Sequence, residues 1–571
     1  MSSRWLAGLT AGALAATGGV AAGASPAIAA TVINVATGGT DAPGCGAPAT
    51  PCATIRYAYG EAAGGDTIKV AAGTYEMTAP LIITKPGLRF EGAEAGVDAR
   101  TRTPGGAGES VVTLAPSVPL GARDIWVVNA DSVRIDGFSF DGNADGAGVS
   151  TSEHHSGYQV SDDIFADNLK GFAPSSDGAI ASVFDKNLYY DNNNSTRYPG
   201  SQGNGVFTYR PLANARFTDS DFTGNDNATV NIAGGEVPGA SRDITISDNK
   251  MDGEFPVTLV AVSHVVVTRN QMNGGWSGVQ VSGACDDITI TQNTITGKTR
   301  GGILLFTGFA AATNTGITIA DNTIEHTGTF PGRYGIEISR SSGVTVRHNL
   351  IVDSGHDGIG FTARDQDVPS SQATITQNTI TGSGGPGIYV APGTYTGPMT
   401  VRYNRIVDND PHRGLVNDAA DAHIDARLNW WGCNDMLAGG GCDHPAGTHE
   451  ELIDFRPWLV LTLTSDPVRI RGGQQARITA TLRRDSAGAI TPGPFFHPVL
   501  TTFSASPGEV RPARTDTNAE LHAYTTWHVG RPGPAKVCAT IDHQTVCLHF
   551  TVPAPHVPPA PHVPPFIPVT G

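Results

Sequence analysis

Apolar residues in this chain recur in short alternating triplets rather than in helical stripes or long runs. An apolar–x–apolar triplet followed by Asn appears as Ile244 and Ile246 before Asn249, Ile288 and Ile290 before Asn293, Ile317 and Ile319 before Asn322, and Val344 and Val346 before Asn349. Further copies precede Asn270, Asn378 and Asn404, and successive Asn lie 21–29 residues apart. A second element, x-x-Gly-apolar-x-apolar, alternates with the first and starts at Trp276, Arg300, Arg333, His356 and Gly385. Alternation puts two side chains of each triplet on one face. A triplet is too short to be a stable strand alone. Stacked coil upon coil, the triplets pair as parallel strands and fill one continuous core. The Asn after each triplet is expected to take the left-handed turn and, repeated in every coil, to form an Asn ladder. The pattern predicts an all-β solenoid with a coil of about 25 residues, built from β-branched side chains.

Residues 45–432 resemble the right-handed parallel β-helix of the pectate-lyase-like superfamily. The resemblance rests on the repeat and on a start running from Cys52 through Ile55 and Ala58, Gly65 to Ile68, and Gly73 to Tyr75, then on to Leu88, Phe90 and Gly92. In that superfamily such a start is an amphipathic cap helix followed by the first coil. Leu428–Cys433 resembles the closing segment of secreted bacterial β-helix proteins, with Trp430 and Trp431 expected as a core plug. From about Trp458 six or seven short strands are separated by turns, the pattern of a β-sandwich. Gln475–Leu482, Phe503–Gly508 and Gly533–Val537 resemble bacterial, invasin-type Ig-like domains. The expected organisation is a signal peptide at 1–30, a capped right-handed parallel β-helix at 31–455, an Ig-like sandwich at 456–552 and a Pro-rich tail at 553–571.

Composition narrows the setting. The 571 residues carry 71 Gly, only 16% charged residues and a formal net charge of −16. No basic run interrupts that acidity, which argues against nucleic acid as a partner. Arg4, the small-residue apolar stretch from Trp5 to Ala24 and the Ala27–Ala29 small-x-small site read as a cleaved export signal, leaving no membrane-spanning segment in the mature chain. Six of seven cysteines fall in close pairs, Cys45/Cys52, Cys433/Cys442 and Cys538/Cys547, which fits disulfides in an oxidising compartment. Cys285 is left over and reads as a small core residue. The tail repeats Ala-Pro-His-Val-Pro-Pro from Ala554 and Ala560 and ends in Ile567–Gly571, similar to the LPxTG-type sorting signal of wall-anchored proteins with Ile in place of Leu. The expected location is extracellular, with cell-wall attachment as a further expectation.

Stacking also aligns candidate chemistry. The residue opening each copy of the second element gives a column of Trp276, Arg300, Arg333 and His356 on consecutive coils. The outward strand position reads Gln280, Leu304, Glu337, Gly360 and Tyr389, with Arg340, Arg364 and Asp365 downstream. Guanidinium groups pair with carboxylates and aromatic faces stack on sugar rings. This points to an acidic extracellular polysaccharide or cell-wall glycan, with Trp276, Gln280, Tyr334, Arg364, Asp365 and Tyr389 as contacts. In lyases and epimerases of this superfamily a basic group removes the proton α to a uronate carboxylate while a cation stabilises the anion. Carried over, Arg333 or His356 is the base, Arg300 or Arg340 the stabiliser, and Glu337 the orienting acid. For hydrolysis, Glu337, Asp357 and Asp365 are the acids near the column. The chain lacks a paired-Asp motif, and lacks the Pro-His-Asp of alginate epimerases after Tyr334–Glu337. The alternative reading is therefore a non-catalytic surface adhesin held out on its C-terminal domain. No cofactor is implied except Ca²⁺, for which Asp141, Asn143 and Asp145 match the start of an EF-hand-type loop.

Overall fold

The computed structural model describes residues 30–554 apart from 119–123, 144, 193–202, 209, 236, 309–311, 331, 363, 365–367 and 437–440. The leader through Ala29, the tail from Pro555 and Asp365 therefore lie outside the described residues.

The triplets form a right-handed parallel β-helix. One coil runs through Asp286–Thr291, Thr294–Thr296 and Gly301–Phe306; the next runs through Thr318–Ala320, Thr323–Glu325 and Tyr334–Ile338. Each strand pairs in parallel with its equivalent one coil on: Ile290 with Ile319, Ile295 with Ile324, Ile303 with Ile336. The first of these three ladders belongs to an 18-stranded sheet. The second and third merge into a 25-stranded sheet, because Asp221–Ala233 and Lys250–Val260 run round the corner between them without a break. Inward side chains from all three ladders fill one core from Ile33 to Trp458.

The asparagines do form a ladder, at the corner between the first and second ladders. Asn249, Asn270, Asn293, Asn322, Asn349, Asn378, Asn404 and Asn429 are each at most 1% exposed. Each amide Nδ2 donates to Oδ1 of the next Asn at 2.9–3.0 Å. The turn chemistry differs from expectation. The left-handed conformation falls on the residue before each Asn, for example Asp321 (φ 56°), His348 (φ 51°) and Gln377 (φ 63°). The Asn itself points inward, because its amide has both the donors and the acceptor needed to bridge three coils. In the N-terminal half Asp163 takes the equivalent place, accepting from the Phe138 N–H, and burial raises its carboxyl well above the usual range.

A second polar column lies at the corner before the third ladder. Asn143, Asn168, Asn192 and Asn225 build it early; Ser383, Asn409 and Asp443 build it late. Between them Lys298, 0% exposed, donates its ammonium to the Gly274 carbonyl, spanning a coil whose corner residue has no side chain. Burial lowers its pKa to about 7.

Both ends are closed. At the start the helix Ile55–Glu61, capped by Thr54, buries Ile55 and Ala58 beside the Cys45–Cys52 disulfide. At the end Trp430 and Trp431 are fully buried. The chain then forms two four-stranded antiparallel sheets around a shared core that includes Phe503, Trp527 and Val537. The short strands Gly508–Arg511 and Arg514–Asp516 were not foreseen. Cys433–Cys442 and Cys538–Cys547 are both bonded, and Cys285 is buried with its thiol pushed up to about 11.

These sheets are not held out from the solenoid. Trp430 and Val407 belong to the same core cluster as the sheets. Asp542 accepts from the Trp430 indole at 2.7 Å and pairs with both nitrogens of the Arg405 fork. Asn434 ties in Leu461 through both its side-chain atoms, and His543 meets Asp408 at 2.6 Å.

Two outcomes test this account. Asn349→Ala removes the partners of Asn322 and Asn378 in one step; each orphaned buried group costs about 1–3 kcal/mol, so denaturant unfolding should show a loss of about 2–6 kcal/mol. Asp443, lifted to about 6 by burial, is protonated in the fold while ionised when unfolded between roughly pH 4 and 6. Its contribution is present at low pH and lost as the pH rises through 6. Asp443→Asn should remove that part of the pH dependence of unfolding.

Candidate functional site

The register fixes the predicted column. Ser277 pairs with Gly301 and Gly301 with Tyr334, while Ile336 pairs with Ile359. Trp276, Arg300, Arg333 and His356 therefore stand at the same corner of four successive coils, just before the third ladder. Strands stack about 4.8 Å apart. The glycine that follows is demanded by packing. A Cβ on Gly302, Gly335 or Gly358 would come within 2.7 Å of the carbonyl of the next coil.

At this corner the Arg300 guanidinium lies over the Trp276 ring, 3.9 Å from its centroid, and Phe255 meets the indole edge-on. Trp276 remains 37% exposed. Arg300 and Arg333 are half-buried, and among the described residues neither has a carboxylate within ion-pair distance. Burial, then Arg333 and Arg364, lower the proton affinity of Arg300; Glu254 on a preceding coil pulls the other way. Phe330, 58% exposed, enters from the loop before Arg333, where its N–H donates to the Thr299 carbonyl. It was not singled out from sequence; its signal was an aromatic residue in an inserted turn of this column.

His356 is half-exposed, and its Nδ1 stands 2.8 Å from Oδ1 of Asp357, at ion-pair distance. The Asp357 side chain is fully buried, and burial lifts it to about 6 against the pull of His356. The Tyr334 ring meets the His356 ring edge-on at 6.0 Å, and burial with Asp357 and Glu337 pushes its hydroxyl up to about 12.

Several expected positions turn out otherwise. The outward face of the third ladder is not an open groove floor: Gln280, Leu304 and Glu337 are 7%, 1% and 2% exposed. Gln280 bonds its own strand at Ser277. Glu337 is held by the Thr362 hydroxyl at 3.1 Å and by Arg364 at 3.4 Å, so it orients Arg364 rather than His356. Arg364 in turn lies over the Phe306 ring. The Tyr334 ring covers Gly360, where a Cβ would come within 2.4 Å of it. Arg340 follows the far end of the Tyr334–Ile338 strand, about 20 Å of extended chain from Arg333, and is not brought to this corner. Tyr389 sits two coils past Glu337 and donates to Asp418 at 3.2 Å. Asn143 is a rung of the second polar column, donating to the Ala147 carbonyl and accepting from the Asp145 N–H. Among the described residues no group of three or more His, Cys, Asp or Glu side chains is arranged to hold a metal ion.

A family model described as the right handed beta helix region matches residues 257–430, the coils that carry this corner. No curated protein matches the chain in sequence. Among solved structures, the catalytic unit of a thermostable GH87 α-1,3-glucanase from Streptomyces thermodiastaticus is 13% identical over 69% of this chain, with a TM-score of 0.37; the chain spans 64% of that unit's length. The tailspike protein of E. coli bacteriophage HK620 is 11% identical over 86% of this chain and 87% of its own, with a TM-score of 0.44. The A-module of Azotobacter vinelandii mannuronan C-5 epimerase AlgE4 is 15% identical over 63% of this chain and 91% of its own, with a TM-score of 0.35.

Gly385 supports the His356–Asp357 contact from the next coil, where a Cβ would meet Asp357 Oδ1 at 2.6 Å. Gly385→Ala should cost about 1–3 kcal/mol in unfolding free energy, the usual cost of overpacking. An unchanged denaturation midpoint would show that the pair is not held there.

Proposed function

We propose that this chain is a secreted β-solenoid that binds an acidic extracellular polysaccharide along the Trp276–His356 corner. The observation that carries the reading is charge. On a chain of net −16, two guanidiniums stand on successive coils, and among the described residues neither has a carboxylate within ion-pair distance, Glu254 acting on Arg300 only from further off. A pair of guanidiniums without a direct ion-pair partner suits an anionic ligand. Trp276 and Phe330 flank it as faces for sugar rings. The export signal and three disulfides support an extracellular setting. In this reading residues 456–552 are an Ig-like domain that braces the solenoid, and the Pro-rich tail with Ile567–Gly571 serves surface attachment. Ca²⁺ has no assigned role.

A second reading, lyase or epimerase chemistry, is favoured by the His356–Asp357 pair. A half-exposed imidazole beside an enclosed carboxylate is the arrangement of an oriented general base. His356 would take the proton α to a uronate carboxylate held by Arg300 and Arg333.

The test is titration of the mature chain with polygalacturonate, alginate and a neutral glucan, recording binding and the ultraviolet absorbance of unsaturated ends together. Expected are salt-sensitive binding to the acidic polymers alone and at least a tenfold loss, about 1.4 kcal/mol, in Arg300→Ala and Arg333→Ala. Product from the wild type but not from His356→Ala would establish the second reading. Binding without product would make the chain a non-catalytic surface adhesin. Equal affinity of the arginine variants would overturn the assignment of the corner.

A further inference from the structure

We infer that the His356–Asp357 pair makes this corner hold anionic polymer more tightly as its surroundings acidify. The inference rests on the reading that the corner binds an acidic polysaccharide. The guanidiniums of Arg300 and Arg333 keep their charge across the physiological range. So does Arg364, which Glu337 already engages while accepting from the Thr362 hydroxyl. Tyr334, pushed up to about 12, stays neutral. Among the described residues, the remaining groups at the corner that can change charge are Glu254, which acts on Arg300 from a preceding coil, and the pair His356 and Asp357.

Their placement makes that change count. Asp357 has no exposed side-chain surface, and among the described residues its carboxylate has no hydrogen-bonding neighbour besides the His356 imidazole at 2.8 Å. Gly385 closes the space on the next coil, and Tyr334 lies on the preceding one. Its one charged neighbour at contact distance is His356. A buried carboxylate with so little polar contact is costly to keep ionised, in keeping with its lift to about 6 by burial against the pull of His356. With His356 neutral and Asp357 ionised, the pair sets one negative charge beside the cations and opposes an incoming anion. With both protonated, it adds one positive charge at the same place. Acidification thus removes an internal competitor and adds an attraction, without moving the backbone.

The experiment is calorimetric titration of the mature chain at constant ionic strength between pH 7.5 and 5.5. The probe is dextran sulfate, whose sulfate esters keep their charge over that range, with polygalacturonate in parallel. The wild type is expected to bind about tenfold more tightly at the acid end, the equivalent of one pKa unit of linkage. Asp357→Asn should bind at pH 7.5 more tightly than the wild type does at that pH, and should show a smaller gain on acidification. His356→Gln, at a half-exposed position that tolerates replacement, should lose most of the acid gain. Wild-type binding with one affinity at every pH, or full pH dependence surviving in His356→Gln, would overturn the inference and leave the corner a binding site. No wild-type binding at any pH would overturn the binding reading itself.

Discussion

Each coil of the solenoid depends on hydrogen bonds to the coil before and the coil after it. The backbone supplies them along three ladders, and at one corner the buried asparagine amides repeat the same pattern with side chains. An amide suits this place because it both donates and accepts, so one residue type can bridge indefinitely. A carboxylate or an ammonium can stand in only by changing its protonation. Asp163 and Asp443 are lifted and Lys298 is lowered at just such substitutions. The interior of this protein is therefore not uniformly apolar. It carries polar columns whose members are tolerated because neighbours above and below satisfy them.

The same translational order creates the candidate site. Residues 23–33 apart in sequence become neighbours at a single corner, so a column of Trp276, Arg300, Arg333 and His356 requires no long loops or converging elements. Like charges placed this way repel, and ion pairs elsewhere along the turns relieve that repulsion, as at Arg269–Asp248 and Arg347–Asp321. At Arg300 and Arg333 no carboxylate stands within ion-pair distance among the described residues, so two cations meet on successive coils there.

Much of this was legible in the chain. Apolar spacing located the strands, the recurring Asn located the buried ladder, and counting from each Gly placed the column correctly, because register in a solenoid is a local property. What could not be read depends on contacts between distant segments. The outward face at Gln280, Leu304 and Glu337 has a polar-outside pattern, yet Arg364, Phe306 and Tyr334 fold over it. Arg340 looked close to Arg333 in sequence, but an extended strand separates them. Asp357 was legible as an acid near the column, but nothing local announces that Gly385 and Tyr334 enclose it. The left-handed turn residue was placed on Asn from propensity, whereas packing required the inward amide there.

The docking of the C-terminal sheets onto Trp430, Arg405 and Val407 bears on how long such a molecule can be. A stack of parallel coils has no intrinsic stopping point, and its last strands would offer unpaired N–H and C=O groups to any passing copy. Here termination is written outside the repeat, in a cap helix with its disulfide at one end and an antiparallel unit clasped through Asp542 at the other. Coils could be added or deleted between these terminators over evolutionary time, lengthening or shortening the column of corner residues, while the molecule stayed a discrete particle rather than a fibre.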